Sequence, residues 1–156
     1  MPIEIERKFL VNRQKWDNLI KPIGHHYRQG YLVAEAGKTI RVRVANVCGY
    51  ITIKGATVGV SRSEFEYEIP KEEAEELLDR FAVSELSKIR YKIEFAGKLW
   101  EVDEFLGENS GLLMAEIELT SEEEEFQLPE WIEEEVTGDK RYYNSYLSVN
   151  PFGRWG

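Results

Sequence analysis

The chain of 156 residues contains a single cysteine, Cys48. A lone thiol cannot close an intramolecular disulfide, and with no recognisable nucleophile setting around it, it reads as packing. Long apolar runs are missing as well: stretches such as Leu112-Leu113-Met114-Ala115 fall far short of the roughly 20 residues that a bilayer-spanning helix needs. The N-terminus reads Ile3-Glu4-Ile5-Glu6-Arg7-Lys8, with acids where a signal peptide carries its basic region and no apolar stretch after them. A cytoplasmic protein with no membrane contact is expected. Basic charge is in deficit, with 20 Lys and Arg against 29 Asp and Glu and a net charge of −9. That excludes the broad cationic surface on which duplex nucleic-acid binding rests, while leaving room for a local basic site. No Pro/Gly/Ser tract separates two halves and no long period repeats, so one domain over residues 1–156, with its core over about 3–147, is expected.

What the sequence has is alternation. Its 42% hydrophobic fraction is ordinary for a globular chain and supplies a core. The dominant local period is two, which predicts strands over 3–11, 27–34, 38–47, 49–55, 61–69, 87–95, 98–105 and 112–119. Two amphipathic helices interrupt them. Asn12 caps a segment that spaces Trp16, Leu19 and Ile20 on one face, and Pro70 opens another with early acids and Ala74, Leu77, Leu78 and Phe81 on one face. Ser121 followed by Glu124 has the capping-box spacing and predicts a helix running to Phe126, and residues 139–147 read as a last helix. The glutamates at 122–125 read as a solvated face.

The polar strand faces are sorted by sign. The first strand presents Glu4, Glu6 and Lys8 opposite Ile3, Ile5 and Phe9, with Arg7 on the apolar side; the third presents Thr39, Arg41 and Arg43. Lys54 ends the fourth, and the fifth gives Arg62, Glu64, Glu66 and Glu68. Lys88, Arg90 and Lys92 follow on the sixth, Glu101 and Asp103 on the seventh, Glu116 and Glu118 on the eighth. Two architectures fit. In an ordinary sandwich these are solvent faces, with cross-strand pairs worth about 0.2–1 kcal/mol each. In a closed barrel they all point into one lumen, which must then be hydrated or hold ions, because an unpaired buried charge costs several kcal/mol. Solubility-driven surfaces intersperse the two signs, whereas here like charges repeat at i and i+2, repelling across one face unless a polyanion and a metal ion offset them.

Other motifs carry less. Gly55-Ala-Thr-Val-Gly59 lacks a following Gly-Lys-Ser/Thr and reads as a hairpin loop. His25 and His26 are adjacent on an extended segment and point opposite ways, which suits an exposed pair better than a metal site. The tail from Pro151 leaves packing and disorder both open.

The element Glu4-Ile-Glu6-Arg-Lys8 resembles the signature of the CYTH superfamily, the triphosphate tunnel metalloenzymes. The resemblance continues through Arg28-Gln-Gly-Tyr31, Ile40-Arg-Val-Arg43, Thr52-Ile-Lys54, Ser61 to Pro70, Lys88-Ile-Arg-Tyr91, Trp100-Glu-Val-Asp103, Ala115-Glu-Ile-Glu118 and Val136 to Asn144. It spans about residues 3–147. It implies an eight-stranded antiparallel closed β-barrel, mainly β with a few amphipathic helices packed outside, whose charged lumen cleaves a triphosphate. Members include inorganic, nucleoside and thiamine triphosphatases, RNA 5′-triphosphatases and class IV adenylyl cyclases; short members similar to this one are most often tripolyphosphatases. Metal-dependent hydrolysis of tripolyphosphate to pyrophosphate and phosphate is therefore expected, with a nucleotide enzyme or a non-catalytic polyphosphate binder as alternatives. The resemblance implies phosphate binding by Lys8, Arg41, Arg43, Lys54, Arg62, Lys88 and Arg90, which also suits the phosphate chemistry of Arg forks and Lys point charges. It implies Mg2+ or Mn2+, with Ca2+ as an inhibitor, on Glu4, Glu6, Glu64, Glu66, Glu101, Asp103, Glu116 and Glu118, hard oxygen donors that fit such ions. A Lys8–Tyr31 dyad tuning water or phosphate, Lys88 at the leaving oxygen, and Glu4 and Glu6 orienting metal and water complete the expected catalytic set. The expected partner is a small-molecule polyphosphate, and the sequence is silent on oligomeric state.

Overall fold

The computed structural model describes residues 3–155. In chain order the strands are β1 (Ile3–Val11), β2 (His25–Glu35), β3 (Lys38–Ala45), β4 (Cys48–Gly55), β5 (Ser61–Ile69), β6 (Ser84–Phe95), β7 (Lys98–Phe105), β8 (Leu113–Glu118) and β9 (Ile132–Glu135). Three helices, α1 (Arg13–Asp17), α2 (Lys71–Phe81) and α3 (Asn144–Leu147), complete the main elements. The sheet order is β5-β4-β3-β2-β6-β7-β8-β1-β9, and β1 also pairs with β5, which closes the first eight strands into an antiparallel barrel. The ordinary sandwich is thereby excluded.

β1 is the strand on which closure turns. Residues 3–5 pair with β5 and residues 6–10 with β8. Phe9 is paired with both Ala115 and Glu135, so β9 takes up, further along, the edge that β5 has left.

Apolar residues clad the outside of the barrel. The Asn12 side chain accepts from Lys15 N–H at 2.9 Å and starts α1, which places Trp16 against Tyr91 and Trp131. Trp100 joins them, with rings tilted or edge-on to Phe9, Phe126 and Trp131 at 5.6–6.1 Å. Each such pair adds about 0.5–1.5 kcal/mol beyond its buried area. α2 lays Ala74 and Leu78 on Val42. It lies so close that a Cβ at Gly49 would stand 2.6 Å from that of Ala74, and only glycine permits the approach.

A third apolar cluster lies inside. Leu10, Leu86, Phe105 and Met114 share the strand faces that carry Lys8, Lys88, Asp103 and Glu116, and they pack with Tyr142 and Leu147 of the C-terminal segment. One end of the lumen is thus plugged. Trp155 stands edge-on to Tyr142 at 5.4 Å, so the tail packs on this plug.

Three sequence expectations need correction. No helix forms after Ser121: Glu124 Oε1 accepts from the Thr120 N–H at 2.6 Å and hydroxyl at 2.7 Å while its other oxygen pairs with Lys98. The chain then runs on without helix to bring Phe126 onto Phe9 and Trp100. The segment 139–147 is broken into a 3-10 turn, Lys140–Tyr142, and the short α3, with Tyr143 extended between them. β9 is an added strand that alternation does not announce, three of its four residues being glutamate. Among the described residues no helix is long and apolar enough to cross a membrane.

Candidate active site

Strand register stacks the charged residues in rows across the lumen. Lys8 faces Glu116, which faces Glu101, which faces Lys92; Arg90 faces Asp103; Lys54 lies between Thr39 and Glu64, and Thr52 between Arg41 and Glu66. Together these rows surround a cavity of about 560 Å3. Every lumen residue named from the sequence as a ligand or catalyst lines it except Asp103.

Asp103 also points inward but does not reach the cavity, and is 1% exposed. Arg90 grips it with Nε and Nη2 at 2.7 and 2.9 Å, and Lys88 Nζ lies 2.8 Å from Oδ2. Burial raises this carboxyl, but Arg90 and Lys88 outweigh it and hold it well below the ordinary carboxylate range. With both oxygens taken, Asp103 acts as an anchor that aims Arg90 and Lys88, and the metal-ligand expectation does not suit its position. Lys88 is equally buried, and desolvation pulls its ammonium down to about 7 against the attraction of Asp103.

The remaining cations differ in how they are held. Lys54 bonds both oxygens of Glu4 at 2.9 and 3.0 Å and lies 3.4 Å from Glu64; Arg62 reaches Glu4 at 3.4 Å. Burial works to raise Glu4, but these partners prevail and its carboxyl falls to about 2. Arg41 donates to Thr52 at 3.1 Å and to Glu66 at 3.4 Å, yet its Nε is buried without an acceptor. Arg43 has no carboxylate partner among the described residues; its Nε donates to Gln29 at 3.0 Å and its guanidinium covers the Tyr27 ring. Burial, with Arg41 and Arg90 nearby, lowers Arg43 to about 9. This pair of arginines is short of anionic acceptors.

The opposite imbalance sits on β1 and β8. Glu6 is 3.8 Å from Lys8, and burial, compounded by Glu116 and Glu4, pushes its carboxyl up to about 8. Glu118, more exposed, is raised by burial and by Glu4, Glu101 and Glu116. Glu116 lies 3.9 Å from Lys8 and 3.8 Å from Arg90, which hold it low against burial. Glu101 and Glu66 are each 3.4 Å from an arginine. Among the described residues no three acidic, His or Cys side chains converge on one point. Glu6 and Glu118, both raised, and Glu116 beside them suit a hard divalent ion held through one or two carboxylates, with phosphate oxygens and water completing its shell, whereas Glu4 could join only by exchanging its bonds to Lys54.

Lys8 and Tyr31 share the cavity wall without bonding each other. Lys8 Nζ stands over the Tyr143 ring at 5.0 Å, whereas Tyr31 Oη accepts from Gln29 Nε2 at 3.3 Å. Sequence reasoning passed over Gln29, although it falls between Tyr27 and Tyr31 on their inward face. Fully buried, it also donates to Asn144 Oδ1 at 3.2 Å, and Asn144 Oδ1 accepts from Lys88 Nζ at 2.8 Å. Because the Arg43 Nε–H can only donate, the Gln29 oxygen must face it, and the amide nitrogen then faces Tyr31 and Asn144. Both acceptors keep their own hydrogens free for the lumen. Thr52 and Tyr143 were likewise passed over. Of the C-terminal residues in the resemblance, Asn144 reaches the site; Lys140 and Arg141 are exposed, Arg141 pairing with Asp139. His25 and His26 are both exposed, His25 on the cavity rim, and half-buried Cys48 lines the wall.

A family model described as the CYTH domain matches residues 2–144. An inorganic triphosphatase of Acetivibrio thermocellus is 52% identical over 150 residues, 96% of this chain and 95% of that protein. One of Nitrosomonas europaea is 36% identical over 152 residues, 94% and 97% of the two chains. A solved crystal structure of an inorganic triphosphatase superposes with a TM-score of 0.66 at 33% identity, covering 94% of this chain and 97% of that one.

Proposed function

The chain belongs to the CYTH domain family, and from that premise we propose that it hydrolyses inorganic triphosphate to pyrophosphate and phosphate inside its barrel, with Mg2+ or Mn2+ held by lumen carboxylates. The observation that carries this reading is the divided imbalance of the cavity. Among the described residues Arg43 has no carboxylate partner and the buried Arg41 Nε no acceptor on one side, and Glu6 is raised by burial and by neighbouring carboxylates on the other. A polyanion answers the first and a divalent cation the second.

Each group then has a part. Arg41, Arg43, Lys54, Arg62 and Arg90 neutralise phosphate oxygens, with Arg90 aimed by Asp103. A divalent ion on Glu4, Glu6, Glu116 and Glu118 supplies Lewis acidity and a more acidic water. Glu6 ionises readily once positive charge stands beside it. Lys88, fixed by Asp103 and Asn144, is placed to stabilise the leaving pyrophosphate oxygen, and the Tyr31 O–H is free to donate to phosphate. Lys8, over Tyr143 and beside Glu6 and Glu116, sits where water and the terminal phosphate meet. Positioning and charge neutralisation do most of the work in such phosphoryl transfer.

An inorganic substrate is favoured over a nucleotide by the aromatic rings of the cavity. Tyr27 stands against Arg43 and Arg90, and Tyr143 against Lys8 and Arg62, so these two rings are engaged by cations that a phosphate chain would contact. The test is a panel of tripolyphosphate, pyrophosphate, ATP, thiamine triphosphate and long-chain polyphosphate, each with Mg2+ and Mn2+. Tripolyphosphate should exceed ATP in kcat/KM by about tenfold or more, and excess EDTA should abolish turnover. ATP at parity or better would overturn the inorganic reading, and cyclic AMP among the products would replace it with a cyclase.

A further inference from the structure

The barrel wall is interrupted beside the lumen residues Glu6 and Lys8. On one edge of β1, pairing with β5 ends at Ile5 and pairing with β9 begins at Phe9. Across the interval no strand is paired to that edge: the Glu6 N–H donates to the Val60 carbonyl at 3.2 Å and the Lys8 N–H to the Thr137 hydroxyl at 2.8 Å. A second cavity of about 20 Å3 occupies the gap. Its outer residues Thr57, Gly59 and Gly138 are exposed, while its inner residues Glu4 and Lys8 are buried. Glu4, Glu6, Lys8, Arg62 and Tyr143 line both this slot and the main cavity. The slot therefore lies in the wall between the surface residues Thr57, Gly59 and Gly138 and the lumen residues Glu6 and Lys8.

Size decides what it admits. A site needs roughly 10–15 Å3 of such volume to hold a water, so 20 Å3 is room for about one. A phosphate tetrahedron of five heavy atoms does not fit. The main cavity is reached elsewhere, over exposed rim residues such as Asn46, Val47, Glu66, Lys92 and Glu118, none of which lines the slot. At the plugged end, Phe105, Met114 and Leu147 bar the way.

We propose that the slot between β5 and β9 is a water port: with a triphosphate in the lumen, the attacking water arrives through the wall at Glu6 and Lys8 instead of past the substrate. This rests on the triphosphatase reading. The chemistry is ordinary hydrolysis. The water oxygen bonds to the terminal phosphorus, the bridging oxygen leaves on pyrophosphate with the electrons of the broken bond, and the water protons go to the phosphate product or to solvent.

The experiment narrows the port from its outer lip and side wall, away from the phosphate-binding groups. Thr57→Trp and Val60→Phe should each lower kcat on tripolyphosphate by about tenfold or more while KM stays at the wild-type value. The melting-temperature rise caused by tripolyphosphate with Ca2+ should also be unchanged, and Thr57→Ser should keep wild-type kcat. Wild-type kcat in both bulky variants would overturn the port, as would a kcat loss accompanied by lost tripolyphosphate binding, since that marks a structural defect. If the wild-type protein itself leaves tripolyphosphate intact, the triphosphatase reading has failed, and that outcome is read before any variant is made.

Discussion

Lys8 and Phe9 are neighbours on β1 and face opposite worlds. Phe9 points outward into rings at 5.6 Å from Trp100 and 6.2 Å from Phe126, a cluster that is complete in itself. Lys8 points inward, where its nearest carboxylates are 3.8 and 3.9 Å away and one of them is raised by burial and then by its acidic neighbours. The outer face gains its stability from apolar packing within the folded chain, at the cost of one buried indole N–H, Trp100 Nε1, that has no acceptor among the described residues. The lumen face holds charges that the chain does not satisfy, and a ligand of two signs completes it. Stability and function are thus divided between the two faces of the same strands.

The sharpest test of that division is Trp100→Ala. Removing a fully buried indole from the outer cluster should cost about 3–5 kcal/mol in denaturant unfolding, while the folded fraction keeps its kcat. A comparable loss of kcat in the folded fraction would break the comparison.

Inside, Glu116→Gln should lower kcat by about a hundredfold or more, worth about 2.7 kcal/mol, with the melting temperature held or slightly lowered, because Lys8 and Arg90 favour the Glu116 carboxylate in the folded state. Wild-type turnover in this variant would remove Glu116 from the metal site.

Ligand should stabilise through the lumen. Tripolyphosphate at a hundredfold excess over Kd, with Ca2+ slowing turnover, adds about 2.7 kcal/mol, or about 5–10 °C for a chain of this size. Thermal melts should show the rise shrinking in Arg41→Ala and persisting in a destabilised outer-face variant. An unchanged melting temperature up to millimolar ligand would break the comparison from the lumen side.

The smallest effect is pH-dependent. Glu6 titrates at about 8 when folded, against an ordinary value of 4.5. The folded state therefore binds this proton more tightly, and stability falls as pH rises from 4.5 to 8 and the carboxylate is forced to ionise. Glu6→Gln removes that penalty. Its melting temperature should exceed wild type by a few degrees at pH 8 or above, the gap closing toward pH 5; a gap that widens on acidification would reverse the sign.

Much of this was legible before the structure. Strands β5 and β7 begin and end where period-two alternation places them, and Asn12 and Pro70 mark the starts of α1 and α2. The inward residues of β1, β3 and β6 follow from parity alone. The Ser121 segment misled because a capping box is a local signal, and here Glu124 turned to Thr120 and Lys98 instead. Gln29 and Asn144 were hidden for a different reason. A buried amide has no periodic signature, and its role exists only where β2 and the C-terminal segment meet, 115 residues apart.

By itself the sequence determined that each strand has two unlike faces, one apolar and one charged and sorted by sign, and that the signs repeat along individual strands. It did not determine which face encloses the other. A charged face can stand against bulk water or against a hydrated lumen, so alternation is the same in a sandwich and in a tunnel. Only tertiary structure decided between them, through the pairing of Ile3–Ile5 with Ser61–Ser63 that shuts the barrel, and through the placing of Leu147 and Tyr142 against Phe105 and Met114 that plugs one end. Those contacts join residues far apart in the chain, and their free energy appears only when the whole sheet has closed.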